Sequence, residues 1–342
     1  MVMNILITSS GRRSYLVKYF KDALGKNGQV FVLNSVDNAP SFFEADYYAV
    51  SPMCFDKSYI PFLLDFCKKH SINCIISVYD VDVGVLAKNK ELFERESIKV
   101  LVSSDEFVSI CNDKWKTFEF LKNNNFNTPK TYLGIEEIKK ALAQKDVCFP
   151  IVVKPRFGNG SIGVLIANNL EELIVFDKKV RNIISKSWLS FESSNFNDCV
   201  IFQEFIDADE YGIDIINDLN GLFKTAIIKK KIGMRSGETD AATVVEDHDI
   251  YEIAEKLGKT TKHICNLDCD GFLKNGKFYI LEMNARFGGG YPFSHCAGVD
   301  LPKAIILWLE GKNVDDNILS PEFNITSYKD IVVRKIVDGR KK

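Results

Sequence analysis

Two short stretches of the chain bring together the residue types that chemistry on a phosphate requires. The first is "YILEMNAR", Tyr279 to Arg286, followed by "FGGG". In an extended strand alternate side chains share a face, which would set Ile280, Glu282, Asn284 and Arg286 on one side and Leu281, Met283 and Ala285 on the other. A carboxylate, an amide and a guanidinium would then converge, either as a solvated polar face or as a site. Glu282 and Asn284 are hard oxygen ligands of the kind Mg²⁺ takes, and Arg286 suits charge developing on a transferring phosphoryl group. Asp270 lies on the other arm of a hairpin signalled by "LKNGKF", because Asn-Gly favours a two-residue primed turn. From there it can face Glu282 across the strands.

The second stretch, "KPRFGNGSIGV", contains Gly158, Gly160 and Gly163 in the G-x-G-x-x-G spacing. A dinucleotide site needs a helix directly after such a loop, whereas "VLIAN" continues as a strand. The loop therefore reads as the tip of a β-hairpin folded over a triphosphate. Lys154 ends the preceding strand and would reach phosphate oxygens, while the glycines let backbone N–H groups come close. No Gly-Lys-Ser/Thr follows, so this is not a Walker A loop.

The elements that must hold these residues are legible in outline. Over the first hundred residues apolar strands ("NILIT", "QVFVLNSV", "NCIISVY", "KVLVS") alternate with helices near Ser14 to Leu24, Tyr59 to His70 and, briefly, around Lys88. This alternation implies a Rossmann-like parallel sheet covered on both faces. Its first turn, "TSSGRRS", lacks the dinucleotide fingerprint, which argues against NAD and a dehydrogenase; the turn could hold an anion or be a solvated loop. A boundary is expected near residue 112, with Asp113 capping a helix. Beyond "NTPKTYL" come the strand "CFPIVVKP", the glycine loop, a helix capped at Asn169, the strands "CVIFQEFI", "EYGIDIIND" and "LFKTAIIKKKIG", a helix from about Asp249 to Cys265, the Asn-Gly hairpin and a helix near Leu301 to Leu309.

At 342 residues the chain has room for two or three domains. Its 44 Lys plus Arg against 46 Asp plus Glu give a net charge of −2, with no general pull toward nucleic acid or an anionic membrane. No apolar run approaches the roughly 18 residues of a membrane span, and a cytoplasmic protein is expected. The nine cysteines are scattered without a CxxC pair and read as reduced core residues rather than zinc ligands or disulfides.

The order "NDKWKTFEFLKNNNFNTPKTY", "FPIVVKPRFGNGSIGV", "VIFQEFIDADEYGIDII" and "GFLKNGKFYILEMNARFGGGYPF" resembles the ATP-grasp superfamily over nearly the whole chain. It is most similar to one synthetase half of the carbamoyl phosphate synthase large subunit and to pyrrolysine-pathway ligases. The resemblance implies an α/β fold, α+β in its C-terminal part, with a Rossmann-like pre-ATP-grasp domain at 1–112. An ATP-grasp domain at 113–312 would carry a lid at about 128–202, and a C-terminal extension with a strand would occupy 313–342. It implies that Lys114 and Lys154 hold ATP phosphates, beneath Gly158, Gly160, Ser161 and Gly163 of the loop. Gln203, Glu204, Phe205 and Ile206 would form the adenine hinge, and Glu210 would bind the ribose. Asp270, Glu282 and Asn284 would be ligands of Mg²⁺, with Mn²⁺ as an alternative, and Arg286 the catalytic arginine. Asp270 departs from the Gln or Glu usual at its position, and its shorter side chain would hold one ion less directly.

The activity so implied is phosphorylation of a substrate carboxylate to an acyl phosphate, followed by attack of an amine to give an amide, ADP and phosphate. Phosphorylation of bicarbonate is an alternative weakened by the lack of a glutaminase partner, and a regulatory nucleotide-binding module is another, which would not require Arg286. The partners are small-molecule carboxylates and amines, and a homodimer is an arrangement open to the chain. Candidate substrate contacts are Arg12, Arg13, Asp80 and Asp82 in the first domain, Arg235 and Glu238 in "RSGE", and Tyr291 and His295 after the glycine run.

Overall fold

The computed structural model describes residues 2–158, 160–192, 198–235 and 237–335. The expected α/β architecture is present. A five-stranded parallel sheet comprises β1 (Met3–Thr8), β2 (Gly28–Asn34), β3 (Tyr47–Val50), β4 (Cys74–Ser77) and β5 (Lys99–Val100), in the order β3-β2-β1-β4-β5. Helices α1 (Ser14–Leu24), α2 (Tyr59–Lys69), α3 (Asp80–Glu94) and α4 (Asp105–Asn112) flank it. On α1 the buried Leu16, Val17, Phe20 and Leu24 fall at helical spacing, so one stripe packs on the sheet. The short helix expected near Lys88 is in fact the 15-residue α3. Its buried stripe of Val81, Val83, Leu86 and Phe93 is interrupted by Gly84 and polar residues, which obscures the period in the sequence.

Helix α5 (Lys114–Asn123) begins at Asp113, whose carboxylate accepts from Trp115 N at 3.0 Å and Lys116 N at 3.4 Å. A four-stranded antiparallel sheet follows, with β6 (Thr131–Leu133), β7 (Ile151–Pro155), β8 (Leu165–Ala167) and β9 (Val200–Glu204) in the order β6-β9-β7-β8. Helices α6 (Ile135–Ala143), α7 (Leu170–Ser185) and α8 (Leu189–Glu192) accompany it, and residues such as Ile138, Val153, Leu173 and Phe202 give it a core of its own. Arg156 grips Asp113 with two bonds of 2.7 Å, tying the base of the glycine hairpin to the start of α5.

The third sheet is antiparallel and six-stranded. It contains β10 (Asp209–Asn217), β11 (Phe223–Arg235), β12 (Glu238–Val245), β13 (Cys265–Lys274), β14 (Lys277–Asn284) and β15 (Ile325–Tyr328), in the order β14-β13-β10-β11-β12-β15. Helices α9 (His248–Thr261), α10 (Tyr291–Cys296) and α11 (Leu301–Leu309) pack beside it. Asn275 and Gly276 both have positive φ, the backbone that the Asn-Gly turn between β13 and β14 requires. Leu6, Leu33 and Leu86 of the first region share one buried cluster with Ile213, Leu267 and Met283 of the third sheet, so these two parts are packed together.

Strict alternation along β14 fails at one place. Asp268 pairs with Asn284 and Asp270 with Glu282, but Gly271 pairs with Ile280, leaving Leu281 as an extra residue. This bulge turns Ile280 into the core with Phe278, while Leu281 and Glu282 face the same cavity. Ile280 therefore does not share a face with Glu282, and Arg286 lies past the end of the strand. Among the described residues no helix is long and apolar enough to cross a membrane. All nine cysteines are free; Cys148 and Cys296 are exposed and the other seven buried.

Candidate active site

Between the glycine hairpin and the third sheet lies a cavity of about 440 Å³. Lys114, Lys154, Gly158, Gly160, Ser161, the run Gln203 to Ile206, Glu210, Asp270 and Glu282 all line it. Gly163 does not: it sits behind the loop, where a Cβ would come within 3.2 Å of Pro155. The ammonium of Lys114 donates to the carbonyl of Gly158, fixing one end of the loop. Lys154 is buried, and its Nζ donates to the neutral amide oxygen of Gln203 at 2.8 Å. Gln203 in turn donates to Thr131 Oγ1 at 2.9 Å. Burial and the charge of Lys114 push Lys154 down to about 8, against a smaller pull from Glu282. A buried cation hydrogen-bonded to an uncharged amide fits a phosphate chain.

Across the cavity Lys231 bridges Glu210 at 2.6 Å and Asp270 at 2.7 Å. Burial opposes its charge, but the two carboxylates outweigh that and hold it protonated. Burial, with Asp268 and Glu282 nearby, drives Asp270 upward despite Lys231. Glu282 and Asn284 make no ion pair or side-chain hydrogen bond among the described residues, which leaves their oxygens to a hard cation. Among those residues no three His, Cys, Asp or Glu side chains form a cage of their own. A divalent ion on Glu282, Asn284 and Asp270 would need further oxygens from water or phosphate, as Mg²⁺ ordinarily takes them.

Arg286 is placed differently from a free cation. Its Nε and Nη2 donate to the two oxygens of Asp80 at 2.9 and 3.2 Å, and Nη1 donates to Asp268 at 2.7 Å and to the Phe287 carbonyl at 3.4 Å. A guanidinium has five N–H donors, so these bonds leave one of them, on Nη2. Burial disfavours its charge, yet Asp80 and Asp268 hold it above its ordinary value. Asp268 is a site residue that sequence reasoning missed. The signal was the pair Asp268 and Asp270, two apart on one strand, opposite Asn284 and Glu282. Gly288, in the glycine run, makes room for it: a Cβ there would lie 2.1 Å from the Asp268 carboxyl.

A second cavity, of about 270 Å³, adjoins the first. It lies where the loops after β1 and β4 diverge, the switch point at which open α/β sheets bind ligands. Arg12, Arg13, Asp80 and Glu238 line it, as do Lys229, Asp268, Asn284 and Arg286. The remaining candidates are not brought there. Arg235 is exposed and pairs with Asp240 at 2.6 Å. Asp82 is fully buried within α3 and accepts from Thr8, Ser9, Tyr59 and Ser77. Tyr291 is fully buried, donating to the Val299 carbonyl and accepting from Leu301 N, each at 3.0 Å. His295 stacks on Tyr19 with ring centres 3.6 Å apart. Those three hold the fold together. Lys229 and Lys231 were overlooked because "KKK" on a strand reads as solvated, although alternation points the first and third inward.

Residues 111–290 match the family model described as ATP-grasp domain, and residues 5–101 the one described as PylC-like, N-terminal domain. The carbamoyl phosphate synthase large chain of Clostridium acetobutylicum is 22% identical over 294 residues, which cover 82% of this chain and 26% of that protein. That of Thermoanaerobacter sp. is 25% identical over 232 residues, 65% of this chain and 20% of the other. The chain thus spans about a fifth to a quarter of the length of these relatives. Among solved structures, biotin carboxylase from Campylobacter jejuni superposes with a TM-score of 0.73 at 18% identity, covering 94% of this chain and 74% of that one. L-amino acid ligase from Bacillus licheniformis gives 0.72 at 16%, covering 97% and 81%.

Proposed function

The chain belongs to the ATP-grasp family, and from that premise we propose that it is an ATP-dependent ligase that activates a carboxylate as an acyl phosphate and joins it to an amine. The observation that carries this reading is that the two cavities share a wall. Gly160, Lys231, Gly237, Asp270 and Glu282 line both, so a phosphate chain in the first would end where a carboxylate in the second begins.

In this reading Lys114 and Lys154 hold the phosphates under Gly158, Gly160 and Ser161. The segment Gln203 to Ile206 faces adenine, and Glu210 the ribose. Asp270, Glu282 and Asn284 hold Mg²⁺, or Mn²⁺ in its place, and the ion when bound offsets negative charge on the phosphates. A carboxylate oxygen attacks the terminal phosphorus, ADP leaves, the amine attacks the resulting carbonyl, and phosphate departs. Arg286 serves less as a free charge than as a donor fixed by Asp80 and Asp268, with one N–H left for an oxygen in the second cavity. We assign residues 1–112 to a domain that supplies the substrate loops and 113–312 to the nucleotide machinery.

Incubation with ATP, Mg²⁺, hydroxylamine and a panel of carboxylates that includes bicarbonate tests the proposal. A carboxylate-dependent release of ADP and phosphate with a hydroxamate product supports it. Formation of AMP and pyrophosphate, or ATP turnover indifferent to every carboxylate, contradicts it.

A further inference from the structure

Strand β15 and the residues after it lie beyond both matched family segments, 5–101 and 111–290, yet Lys329 packs against residues that line the second cavity. Lys329 donates its backbone N–H to the Asp240 carbonyl at 2.8 Å, and its side chain is only 18% exposed. The Nζ lies 3.7 Å from Glu238 Oε2, longer than a hydrogen bond, and 5.6 Å from the centre of the Phe293 ring. A Cβ on Gly289 would come within 3.8 Å of the same atom. Glu238, Phe293 and Gly289 all line the cavity. Five residues on, Arg334 pairs with Glu44 at 2.5 Å, tying this segment to the N-terminal domain that supplies Arg13.

The charges here are not closed among themselves. Lys231 and Arg286 each hold carboxylates within 3 Å, whereas Lys329 has one long pair with a Glu238 side chain that is 69% exposed. Arg13, which lines that cavity, makes no ion pair among the described residues; its Nη1 donates to the Phe287 carbonyl, leaving other N–H groups of the guanidinium. Burial presses the Lys329 ammonium toward its neutral form, Glu238 partly offsets this, and Arg13 adds to it. Lys329 and Arg13, neither held by a carboxylate within hydrogen-bond distance among the described residues, leave charge that an incoming anion would complete.

Resting on the ligase reading above, we infer that Lys329, with Arg13, binds a carboxylate of the non-nucleotide substrate other than the one phosphorylated, and so sets substrate specificity. Two sources present this group: the carboxylate of an amino acid whose amine is the acceptor, and the second carboxylate of a dicarboxylate donor. Calorimetric titration of the full chain with glycine, L-glutamate, succinate and glutarate, with and without MgADP, is the test. It is applied to wild type, Lys329→Met and Lys329→Arg, with MgADP affinity and circular dichroism checking that each variant is folded.

At least one of these anions binds wild type, its affinity falls about tenfold or more in Lys329→Met, and Lys329→Arg stays within about threefold, as loss of a charge-assisted bond requires. MgADP affinity is unchanged throughout. Response to amino acids alone identifies the acceptor's carboxylate, and response to dicarboxylates alone the donor's. Equal anion binding in Lys329→Met, or no binding of any of the four to wild type, overturns the inference. If MgADP fails to bind while anion binding still depends on Lys329, the ligase reading falls and the subsite stands.

Discussion

Replacement of Lys154 by Met is expected to stabilise the protein while abolishing nucleotide binding. Lys154 is 5% exposed, its ammonium is hydrogen-bonded to an uncharged amide, and its environment lowers it from 10.5 to about 8. At about 1.4 kcal/mol per unit this corresponds to roughly 3 kcal/mol of destabilisation while the group is charged. Methionine fills a similar volume without charge but leaves the Gln203 oxygen unpaired, which costs about 1 kcal/mol or more. A net gain of roughly 1 to 2 kcal/mol remains. Below pH 8 the lysine is protonated in folded and unfolded chains alike and the penalty is full. Between about 8 and 10.5 the folded protein releases its proton while the unfolded chain keeps it, so the penalty fades as pH rises. Thermal melts from pH 7 to 10 should therefore show Lys154→Met melting above wild type at pH 7, with the gap narrowing upward. Bound phosphates favour the charged form, so the ATP affinity of wild type should weaken above pH 8, and that of the variant should be low and flat. A variant that melts below wild type at pH 7, with a gap indifferent to pH, would show that the ammonium is already compensated without nucleotide.

Three further outcomes follow from the geometry. Glu282→Gln should reduce Mg²⁺-dependent ATP turnover by about a hundredfold or more and change stability by less than about 0.5 kcal/mol, because its oxygens have no hydrogen-bond or ion-pair partner among the described residues; turnover at the wild-type rate would displace the metal site. Asp80→Asn loosens one of the two carboxylate grips on Arg286, and steady-state kinetics should show kcat down about tenfold or more with MgATP affinity kept within about threefold. A matching loss of MgATP affinity would count against that positioning role. The amides of residues 160–163 should exchange quickly without nucleotide and slow on adding MgATP, since glycines at positive φ hold the loop with few packed side chains; equal protection in both states would mean a rigid loop.

The fold was legible where periodicity is strong. Apolar strands alternating with α1 and α2, the Asn-Gly turn and the Asp113 cap could each be read from a few residues, because each is decided by local chemistry. Strand β3, four partly exposed residues at a sheet edge, is too short to show a period, and α3 was shortened by its polar interruptions. The bulge at Leu281 was invisible for a different reason. It depends on the register of β14 against β13, and a one-residue insertion reverses the facing of every residue before it. Side-chain chemistry alone made Tyr291, His295 and Asp82 look available, yet long-range packing consumed all three. The same kind of packing across 206 residues joined Arg286 to Asp80, a contact that no local pattern announces.

The most direct measurement of the central claim follows an oxygen atom. A carboxylate selected by the hydroxylamine screen, labelled with ¹⁸O in its carboxyl group, is turned over with ATP, Mg²⁺ and an amine, and the products are examined by ³¹P NMR. Transfer of one ¹⁸O into inorganic phosphate, with none in ADP, is the predicted result, because the attacking carboxylate oxygen leaves with the phosphate when the amine displaces it. Label in AMP, or unlabelled phosphate at full turnover, would contradict an acyl phosphate and with it the proposed reaction.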